Sequence, residues 1–215
     1  MKYVIGLTGN IATGKSTVLR MLEELGAKVI DADAITREVM KRGQRAYREI
    51  VATFGREILR PDREIDREAL GRRVFSDPAA LRRLEQIVHP ATIERIAREI
   101  ENAQERVVVV EAIKLIESGM VARLCHALWV VDAPLEQQIR RLMASRGMSR
   151  ESALQRIQAQ SPQTEKVAIA DVVIDNSGSL EETRRQVLAA WETIPPEFRG
   201  GTQEKCRQEE RHENH

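Results

Sequence analysis

Gly9-Asn10-Ile11-Ala12-Thr13-Gly14-Lys15-Ser16-Thr17 follows the apolar run Tyr3-Val4-Ile5-Gly6-Leu7-Thr8 and leads into Val18, Met21, Leu22 and Leu25, which recur at i, i+3, i+4 and i+7. The nine residues fit the pattern G-x-x-x-x-G-K-[ST]. Their surroundings are those the pattern needs: a buried strand before, an amphipathic helix after, and Gly26 to stop the helix. The glycines let the backbone curl so that successive N–H groups face inward and hold phosphate oxygens, aided by the positive end of the helix. In that frame Lys15 reaches the terminal phosphates of a nucleoside triphosphate and the Ser16 hydroxyl ligates Mg²⁺.

Outward from this loop, strands and helices alternate, which predicts an α/β fold with a parallel sheet covered on both faces. Ala27–Asp31 reads as a second strand, Arg106–Glu111 as a central one, Ala127–Asp132 and Asp171–Asp175 as two more. Between the second and third lies a helical stretch from about Ala34 to Gln104, long enough for a subdomain. Asp77-Pro78 starts a helix there, and Pro90 is expected to interrupt it. Pro134 opens a later helix, Ser149 caps another, and Ser179 with Glu182 forms a capping box for the last. Pro195-Pro196 ends that helix, and the polar chain from Glu197 to His215 is expected to be disordered.

The 215 residues carry a net charge of +1, so nothing global draws the chain to nucleic acid or membrane, and any anion site must be built locally. Cys125 and Cys206 lie far apart and read as free thiols of a cytoplasmic protein. No apolar run approaches membrane-spanning length.

Other residues carry chemistry less specifically. Asp31-Ala32-Asp33 follows the second strand at the carboxyl edge of the sheet, where α/β sites form. Two readings of Asp33 stay open: it accepts a proton or holds a metal-bound water, or it caps the following helix. Glu111 ends the third strand, where such proteins keep an acid near the metal. Arg140, Arg141, Arg146, Arg150 and Arg156 form an arginine-rich segment suited to the charge of phosphoryl transfer, though spacing alone selects none of them. There is no Asn-Lys-x-Asp guanine-reading motif, which argues against a nucleotide-controlled switch.

From about Val4 to Trp191 the chain resembles the dephospho-coenzyme A kinases. The likeness rests on Gly6–Thr17, Leu25–Asp33 with Arg37, Asp66-Arg67, His89-Pro90, Arg141-Leu142-Met143, Arg156-Ile157, Gln160, Lys166 and Ala170–Asn176. It implies ATP- and Mg²⁺-dependent phosphorylation of the ribose 3′-hydroxyl of dephospho-coenzyme A, a small-molecule acceptor, on a P-loop kinase core. That core spans about 1–33, 105–135 and 170–196, with a helical substrate subdomain at 34–104 and a small lid at 140–165. By the same resemblance Asp33 is the base, with Arg37, Arg67 and His89 as further acceptor contacts. Lys15 and Arg141 act on the donor. The chain departs from the family in two places. Ile113-Lys114-Leu115-Ile116-Glu117 stands where a Pro-Leu-Leu-like stretch is usual, and Ser145-Arg146 stands where arginine then aspartate is usual. A P-loop kinase for another small acceptor is the nearest alternative, and the oligomeric state is left open.

Overall fold

The computed structural model describes residues 1–199, with backbone only at 121–122. The tail beyond 199, Cys206 included, lies outside the described residues. The chain divides into two compact units, Met1–Ile30 with Asn102 onward, and Asp31–Glu101.

The first unit is built on β1 (Tyr3–Thr8), β2 (Lys28–Asp31, its last residue assigned to the other unit), β3 (Val107–Glu111), β4 (Ala127–Asp132) and β5 (Val172–Asp175). They form one parallel sheet in the order β2-β3-β1-β4-β5. Its central strands are apolar without alternation because both faces are covered. Val107 to Val110, for instance, are all buried. The register sets Leu7 beside Glu111 and Trp129, and Val131 beside Ile174, so β1, β3, β4 and β5 all end at one edge. α1 (Lys15–Glu24) packs Val18, Met21 and Leu22 into a core with Ile5, Leu7, Val109, Trp129 and Ile174. α6 (Met120–Leu124), α7 (Leu135–Arg146), α8 (Arg150–Gln158), α9 (Gln163–Ala168) and α10 (Leu180–Trp191) complete this unit. The expected caps are present: the Ser149 hydroxyl accepts from Ser152 N–H, and Ser179 with Glu182 forms the full capping box.

Glu197, Phe198 and Arg199, expected in the loose tail, belong to the folded body. Phe198 packs on the main core and lies against Tyr3, whose ring also stacks on His126. Arg106 Nη1 donates to Glu197 O at 3.0 Å. A single aromatic with a core to reach outweighs the polar composition around it.

The second unit holds α2 (Ala32–Val39), α3 (Arg45–Phe54), a 3-10 turn at Arg56–Ile58, α4 (Arg67–Phe75) and α5 (Pro78–Asn102), whose last residue falls in the sheet unit. Its core comprises Ile50, Phe54, Ile58, Ile65, Leu70, Val74, Ala80 and Val88. Asp66 caps α4 by accepting from Glu68 and Ala69 N–H, and Asp77 accepts from Ala79 N–H. The expected break at Pro90 does not occur, since α5 runs through it for 25 residues. Proline removes one helix bond and crowds the preceding turn at a cost of about 3 kcal/mol. Val88, Thr92, Ile96 and Ile100 are buried at four-residue spacing on both sides of it, and that continuous face outweighs the lost bond. Among the described residues no helix is long and apolar enough to cross a membrane.

Candidate nucleotide site

β1 delivers the chain to its loop with Thr8 buried, its hydroxyl donating to Ala112 O at 2.8 Å and bifurcating to Ile113 O at 3.3 Å. The loop then takes three left-handed residues: Gly9 at φ +151°, Ala12 at +62° and Gly14 at +96°. Ala12 does so despite its Cβ, a strain of about 1–3 kcal/mol that the surroundings must overdetermine. At the two glycines space is missing as well. A Cβ on Gly9 would run into Val131 O and crowd Thr13 Oγ1, and one on Gly14 would collide with Asn176 Nδ2.

α1 starts at Lys15 with no side-chain cap and no acidic residue in its first turn. Helix-start N–H groups without a side-chain cap, at the positive end of the dipole, are what an anion meets. Lys15 lies back along the loop, its Nζ donating to Gly9 O at 2.8 Å and standing 3.7 Å from Glu111 Oε1. Both side chains are largely buried, at 12% and 15% exposure. Ser16 is exposed at the helix start.

Behind the loop stand Arg141 and Asn176. Arg141 gives Nη1 to Thr13 O (3.0 Å) and Ala12 O (3.2 Å), and Nη2 to Asn176 O (2.8 Å). Asn176 follows β5, donates Nδ2 to Thr13 O at 2.7 Å and accepts from the Thr183 hydroxyl at 2.9 Å. The guanidinium that the sequence assigned to a lid is thus built into the floor of the loop, its charge beneath the peptides of Ala12 and Thr13. Arg150 of α8 pairs bidentately with Glu136 of α7 at 2.6 and 2.9 Å.

In the helical unit the ambiguity about Asp33 narrows. The cap of α2 is Asp31, whose Oδ1 accepts from Ala34 N–H at 2.7 Å, while Asp33 stands in the first turn. Arg37 reaches back to within 3.7 Å of Asp31. Arg37 and Arg67 line one cleft of about 860 Å³, together with Lys41, Arg60, Glu64 and Asp66. His89, half-buried on α5, is not among the residues lining it. The helical unit therefore brings together two of the three further acceptor candidates.

Sequence reasoning missed Gln163, which meets the loop through its amide, and missed what Gln160 does there. Glutamines facing a backbone leave no period to find; the resemblance marked Gln160 without a role, and nothing marked Gln163.

A family model described as dephospho-CoA kinase matches residues 3–182. Curated proteins named dephospho-CoA kinase are similar to the chain. That of Geobacter metallireducens is 51% identical over 192 residues, covering 87% of this chain and 94% of its own. That of Carboxydothermus hydrogenoformans is 47% identical over 187 residues, covering 86% and 91%. Among solved structures, TT1252 from Thermus thermophilus superposes with a TM-score of 0.77 at 37% identity, covering 90% of this chain and 98% of its own. Dephospho-CoA kinase from Campylobacter jejuni gives 0.65 at 29% identity, with the same coverage.

Proposed function

The chain belongs to the dephospho-CoA kinase family, and from that premise we propose how its residues carry the transfer of the ATP γ-phosphoryl group to dephospho-coenzyme A, the last step of coenzyme A synthesis. The observation that supports the donor site is the start of α1, without a side-chain cap, framed by Gly9 and Gly14 where no side chain fits. Backbone amides of the loop hold the β- and γ-phosphates, and Lys15 carries positive charge to the oxygens that gain it during transfer. Arg141, beneath Ala12 and Thr13, adds to that field from below rather than by closing over the phosphates.

Hard oxygen donors fit Mg²⁺ here: the Ser16 hydroxyl would hold it, with the Glu111 carboxylate, close to Lys15, as an acidic support. What the ion supplies when bound is neutralisation of the β and γ oxygens. Asp33 takes the proton of the ribose 3′-hydroxyl. That oxygen forms its bond to the γ-phosphorus as the bond to the β–γ bridging oxygen breaks, and ADP leaves. Asp33, in the first turn of the helix that Asp31 caps, is the acid we assign to this role. Arg37 and Arg67, in their shared cleft, grip the acceptor's pyrophosphate; His89 is a further acceptor contact.

We assign the enzyme to the cytoplasm. Burial pushes the half-buried Cys125 thiol up to about 12 and leaves it protonated and unreactive. The test is ADP release from ATP across a panel of alcohols and nucleotides. Dephospho-coenzyme A should give turnover far above the others and a product carrying a 3′-phosphate. Equal or better turnover with another acceptor overturns the assignment, and ADP release without any acceptor favours a hydrolytic switch.

A further inference from the structure

The short stretch from Gln160, just after α8, to Lys166, within α9, reaches several loops along the nucleotide edge. Gln160 Oε1 accepts from Ile11 N–H at 2.7 Å. Gln163 Oε1 accepts from Asn10 N–H at 3.0 Å, while its Nε2 donates to Val131 O, near the end of β4, also at 3.0 Å. Asn10 returns the contact by donating Nδ2 to Ser161 O at 3.3 Å. On the other side, Ser161 Oγ donates to Glu117 Oε1 at 2.5 Å, and buried Lys166 donates to Ile113 O at 3.2 Å.

We infer that Gln160 and Gln163 are positioning residues for the nucleotide, a clasp that fixes the first two peptides of the loop so that the later amides face the phosphates before ATP arrives. Asn10 and Ile11 immediately precede Ala12, whose left-handed backbone turns the chain toward Gly14 and α1. A glycine-framed loop has many conformations to lose on binding, and one already held at its leading end loses fewer. Their N–H groups, satisfied by side-chain carbonyls, are withdrawn from the set that meets phosphate, leaving that task to the peptides from Ala12 onward. The choice of amide over acid fits the location. A glutamine carbonyl accepts as a carboxylate does, without setting a negative charge beside a triphosphate. Gln163 also needs both ends of its amide, because one end accepts from the loop and the other donates to β4.

The inference rests on the donor's phosphates lying on this loop, so Lys15→Ala serves as the reference. Two readouts are taken on the full chain: amide hydrogen exchange at Ile11 without ligand, and steady-state kinetics. For Gln160→Ala, exchange at Ile11 should rise about ten-fold, and the KM for ATP should rise roughly five- to twenty-fold, the scale of one hydrogen bond. The KM for the acceptor and the melting temperature should stay near those of the unaltered chain. Gln160→Glu, whose carboxylate still accepts, should keep Ile11 protected while also raising the KM for ATP through its charge. A Gln160→Ala chain with unchanged KM for ATP, or a Gln160→Glu chain exchanging as fast as Gln160→Ala, overturns the clasp. If Lys15→Ala also leaves ATP unaffected, the donor is elsewhere, and the assignment of the loop falls along with the clasp.

Discussion

Asp31 and Asp33 show how much two positions at a helix start decide. Their spacing in the sequence left capping and catalysis open for Asp33. The structure gives the cap to Asp31, whose oxygen meets Ala34 N–H at 2.7 Å. Two substitutions should therefore part company. Asp31→Ala should lower stability by about 1 kcal/mol, the usual worth of a cap, as read by denaturant unfolding. Asp33→Asn should leave ATP binding near normal and cut turnover by about 10²-fold or more. Unimpaired turnover in Asp33→Asn would reduce that carboxylate to a bystander. What was legible at this scale was a turn tied to adjacent letters: the left-handed Gly9 and Gly14 and the helix that starts at Lys15 follow from their order alone. What was hidden depends on where a helix begins and on partners distant in sequence. The first kind of uncertainty separates Asp31 from Asp33, and the second conceals Gln163 and the seat of Arg141.

Elements were read best where one physical signal dominates. β1 and β4 run over the residues their apolar stretches predict, and α8 and α10 start after the serines predicted to cap them. α5 was misread because a local rule about proline competes with a face buried along the helix, and burial prevails. The helical unit also ties its helices to pH. Asp66 is held below the ordinary carboxylate range, first by the Ala69 N–H and then by Glu68 N–H, and Asp77 likewise by Ala79 and Ala80 N–H. A carboxyl depressed in the folded state lends stability above its unfolded value near 3.8 and surrenders it as pH falls through its lower folded value. Helix content followed by circular dichroism should thus decline below about pH 4. In Asp66→Asn/Asp77→Asn the decline should be shallower, because asparagine caps without titrating. An unchanged acid profile would show that other carboxylates govern it.

At the scale of the molecule, two units have separate cores: the Ile5, Val109 and Trp129 cluster in the sheet unit, and the Ile50, Phe54 and Val74 cluster in the helical one. The sequence set a long helical stretch between the second strand and the third. It did not show that Phe198 closes over Tyr3, since one aromatic in a polar segment has no pattern around it. If the donor is gripped by the first unit and the acceptor by the second, substitutions should sort by substrate. Arg67→Ala should raise the KM for dephospho-coenzyme A about ten- to a hundred-fold, the scale of a charge-assisted hydrogen bond, with little change in the KM for ATP. A rise in both, or in ATP alone, would place that guanidinium outside the acceptor's grip.

Gly14 and Asn176 come from opposite ends of the chain, yet the absent methyl of one is the room that the amide of the other fills. Neither letter is free to drift by itself. A bulkier neighbour at the first position evicts the amide, while a hydrophobic replacement at the second leaves Thr13 O with Arg141 alone and the Thr183 hydroxyl with Ser179 O alone. Shuffling the front half of this gene with the back half of a distant cousin's would succeed only where both parents had settled on the same bargain at these two sites.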